Sequence, residues 1–156
     1  ELCQPKDEPP DVTFRGASFE IMEVMDKGRK RHGEIKEKQK QVEAADNYSG
    51  VLDTSIGGKG TWYPKPISLQ DVLNIAEVRL QEKKGNYSKS VKATLDALIY
   101  INLQRSYIED KDFVFTLPED SSLRQWRSAS LVFNSNMVCV AFASSSAPEF
   151  IRSASG

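Results

Sequence analysis

Two acids near the start of the chain have the residue types and spacing to hold a divalent metal. Asp11 follows Pro10, and Glu20 lies nine residues later in the run Phe19-Glu20-Ile21-Met22-Glu23. An acid at the start of one strand and a second acid inside the next can reach the same ion. A hard cation such as Mg²⁺ takes oxygen ligands. Sites that cleave phosphodiesters bind it through one or two carboxylates plus the substrate phosphate. Asp11 and Glu20 are therefore the candidate catalytic and metal-binding pair, with Mg²⁺ as the expected ion.

The elements that must position them are legible. Pro10 cannot donate to a sheet ladder, so it marks a strand start or edge. Val12-Thr13-Phe14-Arg15 alternates apolar and polar residues, Gly16 marks a turn, and Ser18 to Met25 reads as a second strand. Residues 12–25 thus predict a hairpin or two adjacent strands. Glu20 shares parity with Ser18, Met22 and Val24, on a largely apolar face where a carboxylate must be paired, hydrogen-bonded or metal-bound. The alternative is that Glu20 faces solvent and Asp11 only closes a turn. Glu23 has the opposite parity and reads as a supporting group or, more simply, an ion-pair partner for the arginines that follow.

Those arginines belong to a basic segment. Over residues 27–40, Lys27, Arg29, Lys30, Arg31, Lys36, Lys38 and Lys40 stand against Glu34 and Glu37, a local net charge of +5. Beside a metal site such a patch could hold a phosphate backbone, with Arg29, Lys30, Arg31, His32 and Lys36 as the nucleic-acid-binding candidates. The competing reading is a solvated helix face. No aromatic residues interleave the charges, which speaks against base stacking. His32 is the single histidine; the surrounding positive charge disfavours its protonated form, leaving a neutral imidazole able to take a proton or touch a phosphate. One histidine gives no convincing serine or cysteine triad. Gly57-Gly58-Lys59-Gly60 lacks the phosphate-loop pattern.

The frame around these residues is ordinary. At 156 residues with net charge −1, 39% apolar and 28% charged residues, the chain is most simply one domain with its own core and no global basic field. No apolar run is long enough to span a bilayer and no signal peptide opens the chain; the expected location is the cytoplasm. Cys3 and Cys139 make no metal-type pair, and Cys139 reads as a buried thiol in an apolar run. The opening Glu1-Leu2-Cys3-Gln4-Pro5 reads as mid-protein, so a preceding N-terminal segment is expected.

Residues 1–11 form an extended lead-in, 33–45 an exposed helix with a thin apolar stripe, and 46–66 a loop. Ser68 with Asp71 resembles a capping box, and Leu69, Val72, Leu73, Ala76 and Leu80 define one buried helix face. Lys83, Lys84 and Gly85 end that helix. A second helix starts at Ser88 and runs into a strand within 95–101. Residues 110–122 are a charged loop. Ser128–Phe133 and Met137–Ala143 flank Asn134-Ser135-Asn136 as a hairpin, and Phe150-Ile151 docks the tail. The order of elements predicts a mixed α/β or α+β domain with a central mixed sheet flanked by helices.

Pro10-Asp11 followed by Glu20-Ile21-Met22 resembles the PD-(D/E)xK restriction-endonuclease-like superfamily. Pro9-Pro10-Asp11-Val12, Gly28-Arg29-Lys30-Arg31-His32, Tyr63-Pro64-Lys65, Trp126-Arg127-Ser128 and Ala147-Pro148-Glu149-Phe150 are similar to a bacterial domain-of-unknown-function family described as "putative endonucleases". The resemblance implies a restriction-endonuclease-like fold, Asp11 and Glu20 as metal ligands, and hydrolysis of DNA phosphodiester bonds. A two-fold dimer would suit a duplex-cutting enzyme. The departure is Met22, which stands where the superfamily pattern carries a lysine. Lys27, Arg29 or Lys30 has the reach to supply that charge, and Lys27 is the third catalytic candidate. Without such a replacement, the implied protein keeps the nuclease fold and binds nucleic acid or a protein partner without cutting.

Overall fold

The computed structural model describes residues 2–3, 9–26, 36, 39–40, 43, 64–82, 87–103, 106–108, 114–133 and 137–154. The expected hairpin is present. Strand β2 (Val12–Phe14) and strand β3 (Ala17–Met25) pair antiparallel, with Phe14 opposite Ala17. Arg15 and Gly16 form the two-residue loop, both with positive φ (48° and 80°), as a tight hairpin turn requires. The absence of a Cβ lets Gly16 take that conformation freely. The lead-in is not only extended: strand β1 (Leu2–Cys3) pairs with β2.

Beyond the hairpin, β3 pairs in parallel with β5 (Asp96–Asn102), and β5 in parallel with β7 (Ser128–Phe133). Strand β8 (Met137–Ala143) returns antiparallel to β7. The result is a six-stranded mixed sheet in the order β1-β2-β3-β5-β7-β8. A second sheet of two strands joins β4 (Lys65–Ile67) to β6 (Ser106–Ile108) in parallel. The expected 46–66 loop therefore ends in a strand. Period-two reasoning missed both of these three-residue strands because neither is long enough to show an alternation.

Helix α1 (Leu69–Glu82) begins where the sequence predicts. The Ser68 hydroxyl oxygen accepts the Asp71 N–H at 3.1 Å, and the same hydroxyl donates to the Asp71 carboxylate at 2.7 Å. Leu69, Val72, Leu73, Ala76 and Leu80 are all buried. They share one core with Met22 and Val24 of β3, Ala97, Ile99 and Ile101 of β5, and Ala129, Leu131 and Phe133 of β7. The second helix is a single turn, α2 (Lys89–Lys92), capped by the Ser88 hydroxyl. The switch to β5 falls at Ala93–Leu95, where the chain bends before the apolar strand begins. A 3-10 helix (Ser122–Gln125) precedes β7, so the 110–122 loop ends on its first residue. The final helix α3 (Glu149–Arg152) docks through buried Ile151, while the Phe150 ring meets Phe14 edge-on at 5.9 Å. Cys139 is half-buried rather than buried, because β8 is an edge strand with one side uncovered. Among the described residues, no helix is long and apolar enough to cross a membrane.

Candidate functional site

Asp11 and Glu20 arrive on adjacent strands. The ladder ends at Val12 opposite Phe19, so one more step of register sets Asp11 opposite Glu20. Asp11 accepts the Ile21 backbone N–H on its Oδ2 at 2.7 Å, which fixes its side chain against β3. Glu20 points to the core face with Met22 and Val24, as parity predicts, and is only 7% exposed. The Tyr87 hydroxyl donates to its Oε1 at 3.1 Å. A carboxylate so placed meets the requirement that a buried acid be hydrogen-bonded.

Around Glu20 the structure gathers residues that the sequence did not single out as a site. Tyr87 meets the Trp126 ring edge-on, with centroids 6.4 Å apart. The Lys92 ammonium lies over the same Trp126 ring, 5.9 Å from its centroid, a cation–π placement. Lys92 is 5% exposed. Glu20, Tyr87, Trp126 and Lys92 thus form one connected cluster. Only Trp126 had a prior signal, within the Trp126-Arg127-Ser128 run. A lysine in a short helix start looks like any surface lysine in sequence.

A second polar cluster lies beside it, at the amino ends of the three parallel strands. Asp96 opens β5 and is fully buried. Its carboxylate accepts the Ser18 N–H at 2.9 Å, the Ser128 hydroxyl at 2.7 Å and the Arg127 Nε at 3.1 Å, and it pairs with the Arg127 guanidinium. Arg127 also donates to the Gly16 carbonyl at 3.2 Å. The signal in sequence was a lone acid inside the apolar run Leu95-Asp96-Ala97-Leu98, a pattern that implies a buried, paired charge.

The other candidates divide as follows. Lys27, Arg29, Lys30, Arg31 and His32 lie outside the described residues. Lys36 is described, helical and exposed. Glu23 accepts the Asn102 amide at 2.8 Å, a neutral partner on the neighbouring parallel strand. Met22 is 5% exposed and packed in the core. A lysine there would have to set its ammonium in apolar packing.

No group of three or more His, Cys, Asp and Glu side chains suited to a metal ion occurs among the described residues. Asp11 and Glu20 are an all-oxygen pair, which matches Mg²⁺, an ion commonly held by one or two carboxylates and completed by water and phosphate.

A search of curated proteins finds no match. Among solved structures, the chain is similar to a protein of unknown function from Pseudomonas aeruginosa strain PAO1, described as belonging to the monooxygenase superfamily. The TM-score is 0.67 at 28% identity, over 99% of this chain and 67% of that one. Residues 1–156 match the family described as "Putative endonuclease, protein of unknown function (DUF1780)". That match, over residues 1–156, leads to one statement: the chain belongs to the DUF1780 family.

Proposed function

We propose that this protein is a metal-dependent endonuclease that hydrolyses DNA phosphodiester bonds, with Asp11 and Glu20 as the metal-binding carboxylates. The observation that carries the reading is Glu20: an acid on the core face of β3, 7% exposed, held by the Tyr87 hydroxyl at the register position opposite Asp11. The family description supports the same chemistry. Bound to these two carboxylates, Mg²⁺ would supply Lewis-acid stabilisation of the phosphate and a more acidic water. The chain's own residues prepare that site. The Ile21 N–H holds Asp11, and Tyr87 fixes the Glu20 rotamer. The basic segment 27–40 supplies charge for the nucleic-acid backbone.

Met22 favours a second reading, a nuclease-fold protein that binds nucleic acid or a protein partner without cutting. A thioether packed in the apolar core stands where the PD-(D/E)xK pattern puts a cation. The monooxygenase description of the Pseudomonas protein suggests a different chemistry. For oxygenation at a two-histidine, one-carboxylate iron site the chain lacks the ligands, since His32 is its one histidine.

Supercoiled plasmid incubated with the purified protein and Mg²⁺ or Mn²⁺ separates these readings. Cleavage is expected for wild type and is expected to disappear in Asp11→Ala and Glu20→Gln. The glutamine keeps an acceptor for Tyr87, so loss of activity would not reflect loss of that hydrogen bond. Cleavage that survives both substitutions removes this site from the reaction.

A further inference from the structure

We infer that Lys92 supplies the phosphate-facing positive charge that Met22 cannot, from a helix end rather than from the strand. The inference rests on the nuclease reading of Glu20 and adds a residue to it. Three observations carry it. First, Lys92 is the only buried lysine or arginine among the described residues. Taking an ammonium out of water is costly, and an apolar stem would fill the same space without that cost. Second, the cation sits in the same cluster as the candidate carboxylate: Lys92 against Trp126, Trp126 against Tyr87, and Tyr87 on Glu20. Third, its backbone is fixed. The Lys92 N–H donates to the Ser88 carbonyl at 3.0 Å, and its own carbonyl accepts the Leu95 and Arg127 N–H groups, each at 3.1 Å.

Two arginines near this end of the sheet bind within the fold. Arg127 binds Asp96 and the Gly16 carbonyl, and Arg124 binds the Pro118 and Leu117 carbonyls. In the hydrolysis, a water oxygen bonds to phosphorus and gives up a proton to solvent, the phosphorus–oxygen ester bond breaks, and the leaving oxygen gains a proton from solvent. Lys92 keeps its own proton throughout. Its role is to balance charge that builds on the phosphate oxygens, where a fixed, poorly hydrated cation acts more strongly than an exposed one.

The test compares wild type, Lys92→Met, Lys92→Arg and Lys27→Met in the Mg²⁺ plasmid assay. It adds thermal melting and binding of a fluorescent DNA duplex in EDTA at low salt. Lys92→Met is expected to lower kcat by about 100-fold, the loss typical of one charge-stabilising group. Melting and metal-free duplex affinity should stay near wild type, and Lys92→Arg should restore much of the rate. A merely structural lysine would show the reverse, with a lowered melting temperature and cleavage intact, which overturns the inference. So does loss of cleavage in Lys27→Met with Lys92→Met unaffected. If Lys92→Met does not fold, Lys92→Gln, which keeps a polar head without the charge, is read in its place. Wild type that leaves the plasmid intact overturns the nuclease reading and this inference together. Wild type and Lys92→Met cutting equally overturns the inference alone.

Discussion

Two polar clusters lie side by side near the amino ends of the parallel strands, and they solve the problem of buried charge in different ways. Around Asp96 every interaction closes on the fold itself. One carboxylate ties β3 through Ser18, β7 through Ser128, and the hairpin turn through Arg127 and Gly16. Around Glu20 a phenol donates to the carboxylate and meets an indole that in turn lies under an ammonium, groups that bridge the sheet to α2 and to the 3-10 helix rather than strand to strand. The first arrangement fastens the sheet. The second sets a buried carboxylate at the register position opposite Asp11, with a buried cation linked to it through two aromatic rings.

The contrast predicts opposite balances of stability and activity. The largest stability effect is expected at Asp96. Asp96→Ala strands the Arg127 guanidinium and should cost about 3–5 kcal/mol, the range for breaking a buried pair, measured by urea unfolding. Replacing both partners, Asp96→Leu with Arg127→Met, should cost less than the single change, because no uncompensated charge remains. A double variant as damaged as Asp96→Ala would contradict the pairing.

Ser68→Ala should cost about 1 kcal/mol through loss of the α1 cap, a reference for an effect far from both clusters. Glu20→Gln should fall below that, at roughly 0.5 kcal/mol or less, since the amide oxygen can still accept from Tyr87. If Glu20→Gln proved as destabilising as Asp96→Ala, Glu20 would belong with the fastening cluster.

The smallest expected effect concerns the thiols. Burial raises the Cys139 pKa by desolvation. Cys3 is exposed. At mildly alkaline pH, a thiol reagent should therefore label Cys3 first and Cys139 slowly. Because the folded-state value is raised, the matching stability contribution holds below the unfolded pKa. It is lost only as pH rises through the folded one, in the alkaline range. Equal labelling rates would contradict that burial.

How much of this could be read in advance depended on the range of the interaction. Hairpin β2–β3, helix α1 and hairpin β7–β8 follow from local pattern: alternation up to a turn marked by Gly16, a Ser68 cap with an apolar stripe, and two strand-like runs flanking the polar Asn134-Ser135-Asn136. Strands β4 and β6 are three residues each and exist by pairing Lys65 with Ser106, 41 positions further along the chain. Within the site, parity alone placed Glu20 on the core face. Tyr87 and Lys92 could not be anticipated, because their relation to Glu20 spans more than 60 residues and is made by the crossover between β3 and β5. Asp96 was visible as a charge in an apolar run, yet nothing local named Arg127 as its partner.

The central claim is that Glu20 is held for chemistry while Asp96 is held for the fold. The most direct measurement is Mg²⁺-dependent plasmid cleavage by wild type and Glu20→Gln at matched folded fraction, verified by melting. The account predicts cutting by wild type and none by Glu20→Gln, with both proteins equally folded. Equal cutting by the two, or an intact plasmid with wild type in both Mg²⁺ and Mn²⁺, would contradict it.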